Sequence, residues 1–179
     1  LPRIITAIRD GSFFENKALV DVAAHVKKNN STLHLMGLFS SGSVHAYRDH
    51  VYALLEFAKR AEVPRVAVHV FTDGRDSPPG EAEHDIAELK RKITESCPHA
   101  VVGSIIGRSF AMDRDSHWQN TQRAYELLVE GKGASYTDAE AYIADSYKKG
   151  ITDEFIEPGF LAASDGTAAH RVKEGAALL

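Results

Sequence analysis

The sequence predicts an α/β fold, a three-layer and mostly parallel sheet with helices on both faces. Two observations predict it. Short β-branched runs alternate with amphipathic stretches of roughly 10 to 17 residues, the pattern of β-crossover-β units. Three of the apolar runs also end in loops rich in Gly, Ser or Pro, as strands do where they open into a turn. At 179 residues one domain, 1–179, is expected, long enough to bury a core.

Phe14 to Val26 places Leu19, Val22, Ala23 and Val26 on one helical face. Thr32 to Leu38 reads as a strand, and Ser40 to Ser43 as a turn. Ala46 to Arg60 carries an apolar stripe of Val51, Leu54, Leu55 and Ala58. Arg65 to Phe71 is the next strand. Glu81 to Thr94 is a helix with Ile86, Leu89 and Ile93 inward and Pro79 at its first turn. Ala100 to Ile106 is a third strand. Trp118 to Val129 is a helix that buries Tyr125, Leu128 and Val129. Thr137, with Glu140 three residues on, has the capping-box spacing, and Gly150 ends that helix. Ser164 to Lys173 is polar and reads as a loop or short hairpin. Right-handed crossovers place the loops after Leu38, Phe71 and Ile106 along one sheet edge.

The bulk numbers narrow the function. An apolar fraction of 44% and a charged fraction of 26% are those of a globular protein. A net charge of −4 gives no general attraction for nucleic acid or membranes, so an anion site must be a local cluster of arginines. The single cysteine, Cys97, allows no internal disulfide and suits a reducing, cytoplasmic setting. No apolar run approaches the roughly 20 residues of a membrane span, and no signal peptide is visible. The chain starts at Leu1 without Met and finishes in the apolar Ala176 to Leu179, which is expected of a piece of a longer polypeptide.

The chemistry concentrates in the three loops. Thr72-Asp73-Gly74-Arg75-Asp76-Ser77-Pro78-Pro79 follows one strand, and Gly107-Arg108-Ser109-Phe110-Ala111-Met112-Asp113-Arg114-Asp115 follows another. Ligands of open α/β sheets bind past the carboxyl ends of strands. Arginine forks there pair bidentately with carboxylate or phosphate, and an aspartate in reach of a substrate hydroxyl accepts its proton. Taken singly, Arg75-Asp76 reads as a surface ion pair, and Arg108 and Arg114 as loop charges partnered by Asp113 and Asp115. Three loops on one edge favour a site for a small anionic substrate. The loop Gly37 to Ser43 lacks the lysine of a phosphate-binding P-loop. Its amides are still able to meet an anion with His45 beside them; equally, Ser43 caps the helix and His45 is solvated. His34 and His69 read as core histidines bonded to a neighbour. Asp113, Asp115 and His117 have ligand-type side chains but no metal-site spacing, and Asp115 or Ser116 is expected to cap the next helix, so no metal is assigned.

These residues resemble a known family. Leu33 to Leu38, Ser40 to His45, Asp73-Gly74-Arg75-Asp76, and Gly107-Arg108 with Ala111-Met112-Asp113-Arg114-Asp115 occur in its order. So do Asp10 to Asn16 and Gly150 to Phe155. Together they closely resemble the cofactor-independent (2,3-bisphosphoglycerate-independent) phosphoglycerate mutases, from about Leu1 to Pro158. The resemblance implies a glycolytic isomerase, an intramolecular phosphotransferase that interconverts 3-phosphoglycerate and 2-phosphoglycerate through a phosphoserine. It implies that this chain is the inserted substrate-binding (transferase) domain. A covalently linked phosphatase-like domain would carry the nucleophilic serine and two divalent metals, manganese with magnesium or cobalt as alternates. No cofactor is expected in this fragment, which alone is expected to be inactive and monomeric. The family's Arg-x-Asp-Arg substrate motif would lie beyond the strand begun at Leu178.

By the same resemblance, His45, Arg75, Asp76, Arg108 and Arg114 contact the phosphoglycerate. Asp76 is the acid/base at the glycerate hydroxyls. Arg108 and Arg114 hold the carboxylate, and Arg75 pairs with the carboxylate or hydroxyl side. One departure bears on His45: the family commonly reads Ser-Asp-Gly-Gly-Val-His where this chain has Ser40-Ser41-Gly42-Ser43-Val44-His45. Two other readings stand beside this one, a stand-alone anion-binding or regulatory domain and a metal-dependent phosphoesterase using Asp113, Asp115 and His117.

Overall fold

Mainly apolar runs form strands buried on both faces, and three of them make the centre of the sheet. In a computed structural model describing residues 1–179, these are β1 (Leu33–Phe39), β2 (Val66–Thr72) and β3 (Ala100–Gly107). β1 and β2 pair in parallel from Leu33 opposite Val66 to Phe39 opposite Thr72. β2 and β3 are also parallel, with a register shift between Val68 and His69. Three shorter strands extend the sheet: β4 (Ala134–Tyr136), β5 (Gly159–Leu161) and β6 (Ala177–Leu178). The spatial order is β4-β5-β3-β2-β1-β6, and only the β3–β5 pairing is antiparallel. The sheet is therefore mostly parallel.

Seven helices accompany it: α1 (Pro2–Asp10), α2 (Lys17–Lys28), α3 (Arg48–Arg60), α4 (Ala82–Ser96), α5 (Arg108–Ala111), α6 (Trp118–Tyr125) and α7 (Ala139–Lys148). Alternate strand positions sort onto two faces. Leu33, Leu35, Val66, Val68, Val70 and Val102 join the main core with Val26 of α2, Leu55 and Phe57 of α3, Ile86 and Leu89 of α4, and Ile143 of α7. Ile106 lies in a smaller cluster on α6, with Ala124, Leu127 and, at its margin, Phe71. One face is thus thick and apolar. The other is covered by α6 and by the segment after β5, where Ala162 and Ala168 form the bridge of a small hairpin.

Four local expectations are corrected. Helix α3 starts at Arg48 rather than Ala46: Ser43 turns into the left-handed region (φ 54°), the chain bends at Val44 and His45, and the N-cap, Tyr47, is extended. Pro79 sits in the turn before α4, not inside its first turn. The capping residue of α7 is Asp138, whose side chain accepts from the Glu140 amide; Thr137 lies one position outside. Gly150 does end that helix, at φ 76°. After α6 the chain winds into a π-turn over Glu126–Glu130. The wider turn rotates the apolar stripe, so Leu127 and Leu128 are buried, Tyr125 is exposed and Val129 only half-buried.

His34 and His69 are core histidines, as their place in strands predicts. His34 Nδ1 lies 2.8 Å from His69 Nε2, and His69 Nδ1 lies 2.7 Å from Ser104 Oγ. Burial, with His170 nearby, lowers His34 to about 4; burial and the neighbouring imidazoles of His34 and His170 lower His69 to about 3. Both are neutral at neutral pH.

Candidate functional site

Parallel pairing of β1, β2 and β3 brings the loops that follow them to one edge, as the crossover rule requires. Two glycines let the loops interlock. A Cβ at Gly42 would fall 2.2 Å from the carbonyl oxygen of Asp76, and one at Gly107 would fall 2.4 Å from that of Glu154. Only a residue without a side chain permits those approaches.

Arg108, the first residue of α5, is 7% exposed, a rare place for a guanidinium. Its Nη1 donates to Asp73 Oδ1 at 2.6 Å and to Asp76 Oδ2 at 2.7 Å. Burial opposes its charge, but the hydrogen bonds and charges of Asp76 and Asp73 outweigh that and raise its pKa. Asp73 is the hub. Its Oδ2 accepts from Ser40 Oγ at 2.5 Å, and its Oδ1 also accepts from the Arg75 and Asp76 amides at 3.1 and 3.0 Å. Burial pushes its carboxyl up, yet these donors together hold it below the usual carboxylate range.

Around this hub the other residues take their places. His45 is half-exposed, with Nε2 4.0 Å from Asp76 Oδ2. Arg75 reaches Glu154 Oε1 at 3.3 Å rather than Asp76, so the Arg75-Asp76 ion pair of the sequence reading does not form. Arg108 likewise takes Asp73 and Asp76 as partners, not Asp113 or Asp115. Arg75, Arg108 and Arg114 line one cleft of about 350 Å³ with Glu154, Phe155 and His117. Arg114 is exposed there. All five predicted residues therefore share one edge: three arginines on the cleft, Asp76 bonded to one of them, and His45 next to Asp76.

The turn Ser40–His45 corrects part of its sequence reading, and His45 is solvated. Ser43 does not cap α3, and His45 precedes that helix by three residues. Ser41 Oγ donates to Glu81 Oε2 at 3.0 Å, and the Gly42 amide donates to Ser40 Oγ at 2.9 Å. The glycine that the family commonly has at Ser43 would suit its φ of 54° better than serine does.

Asp113 ties its loop together instead of standing free as a ligand. Its Oδ1 accepts from the Asp115 and His117 amides, and its Oδ2 meets His117 Nδ1 at 3.0 Å and Asn120 Nδ2 at 3.1 Å. Neither Asp115 nor Ser116 caps α6; its N-cap is His117, whose side chain makes no capping bond. No three His, Cys, Asp or Glu side chains gather so as to hold a metal ion. The residues present do not fit a metal centre.

Sequence reasoning missed two residues as site-builders. Asp73 carries the signature of an Asx turn, an aspartate whose side chain bonds amides two and three residues on, and that signal was readable in Asp73-Gly74. Asp153 carried no local signal. It is 1% exposed, and its Oδ2 accepts from the amides of Gly80, Glu81 and Ala82 at 3.0, 3.0 and 3.2 Å. Tyr147 donates to its Oδ1, and Thr72 Oγ1 donates to its carbonyl at 2.7 Å. Asp153 thus caps α4 from some seventy positions away in sequence and pins the Arg75–Asp76 loop to the Glu154 segment.

Comparison with known proteins gives the family. Residues 4–179 match the family described as BPG-independent PGAM N-terminus. A 2,3-bisphosphoglycerate-independent phosphoglycerate mutase of Salinibacter ruber is 44% identical over 99% of this chain and 35% of its own length. The protein of that name from Moorella thermoacetica is 45% identical over 98% of this chain and 34% of its own. A solved phosphoglycerate mutase of Leishmania mexicana, crystallised at low cobalt concentration, superposes with a TM-score of 0.92 at 27% identity, over 98% of this chain and 33% of that one. The chain spans about a third of the length of these relatives. By the match over nearly its whole length, the chain belongs to the BPG-independent phosphoglycerate mutase family and corresponds to the part described as its N-terminus.

Proposed function

We propose that this chain is the substrate-binding (transferase) domain of an isomerase that interconverts 3-phosphoglycerate and 2-phosphoglycerate through a phosphoserine. The nucleophilic serine and two divalent metals would lie in a covalently linked phosphatase-like domain, and those metals would supply the charge that activates serine and phosphate. The observation that carries this reading is the gathering of Arg75, Arg108 and Arg114 on one cleft with Asp76 bonded to Arg108.

In this proposal Arg108 and Arg114 grip the glycerate carboxylate, and Arg75 exchanges Glu154 for the carboxylate or hydroxyl side of the substrate. Asp76 takes the proton of the glycerate hydroxyl as its oxygen attacks the phosphoserine phosphorus. In the half-reaction that comes before this one, the glycerate oxygen that phosphate leaves for serine takes its proton from Asp76, so the two steps together restore it. His45, beside Asp76, faces the same anion. Asp73 touches no substrate; it is a positioning residue that keeps Arg108 fixed while Asp76 exchanges partners.

The test is an amide NMR titration of this chain with 3-phosphoglycerate, with Arg114→Ala as the control because that side chain is exposed. Shifts at His45, Arg75, Asp76 and Arg108 to Arg114, weakened in the variant, are expected. Shifts elsewhere, or shifts indifferent to Arg114→Ala, overturn the site. The chain alone is expected to show no mutase turnover, and turnover by it would overturn the two-domain reading.

A further inference from the structure

The opposite edge of the sheet holds a larger cavity, of about 460 Å³, between the starts of β1, β2 and β3 and the segment 169–176. Its rim carries Arg65, Arg171 and Lys173, with Glu174 as the only carboxylate. None of the three cations makes an ion pair, and Arg171 reaches only the Glu130 carbonyl, at 3.5 Å. In a chain of net charge −4, three cations against one carboxylate is a local concentration of positive charge.

The floor supplies a second, independent observation. His34 lines this cavity although the residue is only 1% exposed. Its Nδ1 is engaged by His69 Nε2, and its Nε2 has no protein partner. Two tautomer sets satisfy these contacts, and an anion selects the one in which Ser104 Oγ donates to His69 Nδ1, His69 Nε2–H donates to His34 Nδ1, and His34 Nε2–H is left as a donor; the reverse set leaves Nε2 an acceptor. In the first set, neutral imidazoles, each oriented by the next, present a hydrogen-bond donor at the base of a cationic mouth. The wall is closely fitted as well. A Cβ at Gly103 would stand 3.0 Å from His170 Cβ and 3.4 Å from His69 Cε1, so His170 lies against the sheet only because Gly103 has no side chain.

We propose that this cavity is a second anion-binding site, shaped for a small oxyanion of two or more negative charges and separate from the arginine cleft at the other sheet edge. Two arginines suit bidentate pairing with phosphate or carboxylate oxygens, Lys173 adds a point charge, and His34 Nε2–H donates to the innermost oxygen. The volume is that of a small-molecule site. The two edges lie roughly 20 Å apart along strands of this length, so one anion does not reach both.

The experiment titrates this chain, at an ionic strength of about 0.15 M to screen loose surface attraction, with inorganic pyrophosphate and, in a parallel arm, with citrate. Amide shifts at Thr32, Val66, Val101 and His170 are expected from at least one of them. In Arg171→Gln/Lys173→Gln, both exposed positions, the affinity is expected to fall by about tenfold or more. Arg114→Ala should leave it unchanged. Response to pyrophosphate alone assigns a phosphate ligand, to citrate alone a carboxylate ligand, and to both an oxyanion site without preference. No shift at this edge, shifts confined to the Arg75 and Arg108 loops, or binding that survives the double substitution would overturn the proposal.

Discussion

The two edges of the sheet handle positive charge in opposite ways. Past the carboxyl ends of the strands, Arg108 is buried and held by two carboxylates, and Arg75 has Glu154. At the amino ends, Arg65, Arg171 and Lys173 stand unpaired over neutral histidines. A buried guanidinium needs partners because desolvation costs several kcal/mol per ion, whereas a rim cation keeps its water. Arg108 and its carboxylates are therefore built into the stability of the fold, and the rim cations of the second edge are nearly independent of it. Substitutions at the first should be felt in unfolding, and those of the second edge's rim cations only in binding.

The largest effect that separates them is Asp73→Ala, which strips Arg108, Ser40 and two amides of their acceptor at once. A loss of about 3–5 kcal/mol in urea unfolding is expected, against no more than about 0.5 kcal/mol for Arg171→Gln. Equal losses at both edges would erase the contrast. Asp153→Asn comes next. The amide keeps the shape but puts one NH2 group where either the three backbone N–H groups or Tyr147 now point, and about 2 kcal/mol should be lost. Tyr147→Phe, which removes one of those donors, should cost less. If it costs as much, the capping role assigned to Asp153 is wrong.

Third is the pH limb set by the histidine floor. In the folded chain His34 and His69 are lowered to about 4 and about 3 from an ordinary 6.5. As pH falls through 6.5 the unfolded chain takes up protons that the folded chain refuses, so stability drops between pH 6.5 and about 3. Above that window the pair contributes no slope. A decline of several kcal/mol, on the order of 1 kcal/mol for each pH unit by which a pKa is lowered, is expected, shallower in His69→Gln whatever happens to the plateau. An unchanged slope in that variant would mean that the acid limb arises elsewhere. The smallest effect sharpens the first edge: Ser43→Gly relieves the left-handed serine and should stabilise by about 0.5 kcal/mol.

What could be read in advance follows the range of each interaction. Strands β1, β2 and β3 were legible within a residue or two, because a buried parallel strand announces itself as a mainly apolar run. The five site residues were legible as a group, since three strand-end loops had to share an edge. Their pairings were not. Arg75 has Asp76 beside it in sequence, yet takes Glu154, which folding delivers from beyond α7. Asp153 was quoted only within a family motif, because the amides it caps lie in another segment. The burial of Leu127 in place of Tyr125 escaped for a different reason: it depends on a π-turn, and no residue type marks one. Asp138 was displaced by Thr137 in the reading because both are good caps and only the local backbone decides between them.

Arg108 and Arg114 also differ in what remains to be ordered when an anion arrives. Arg108 surrendered its rotamer entropy on folding, through its bonds to Asp73 and Asp76, whereas exposed Arg114 keeps its freedom until it is occupied. An anion docking on Arg108 meets a finished half-site and has only the Arg114 arm still to immobilise, an ordering cost of about 0.5–1.5 kcal/mol for such a side chain. Loosening Asp73 would move that cost from folding to binding, and the ligand's residence time, more than its rate of arrival, would shorten.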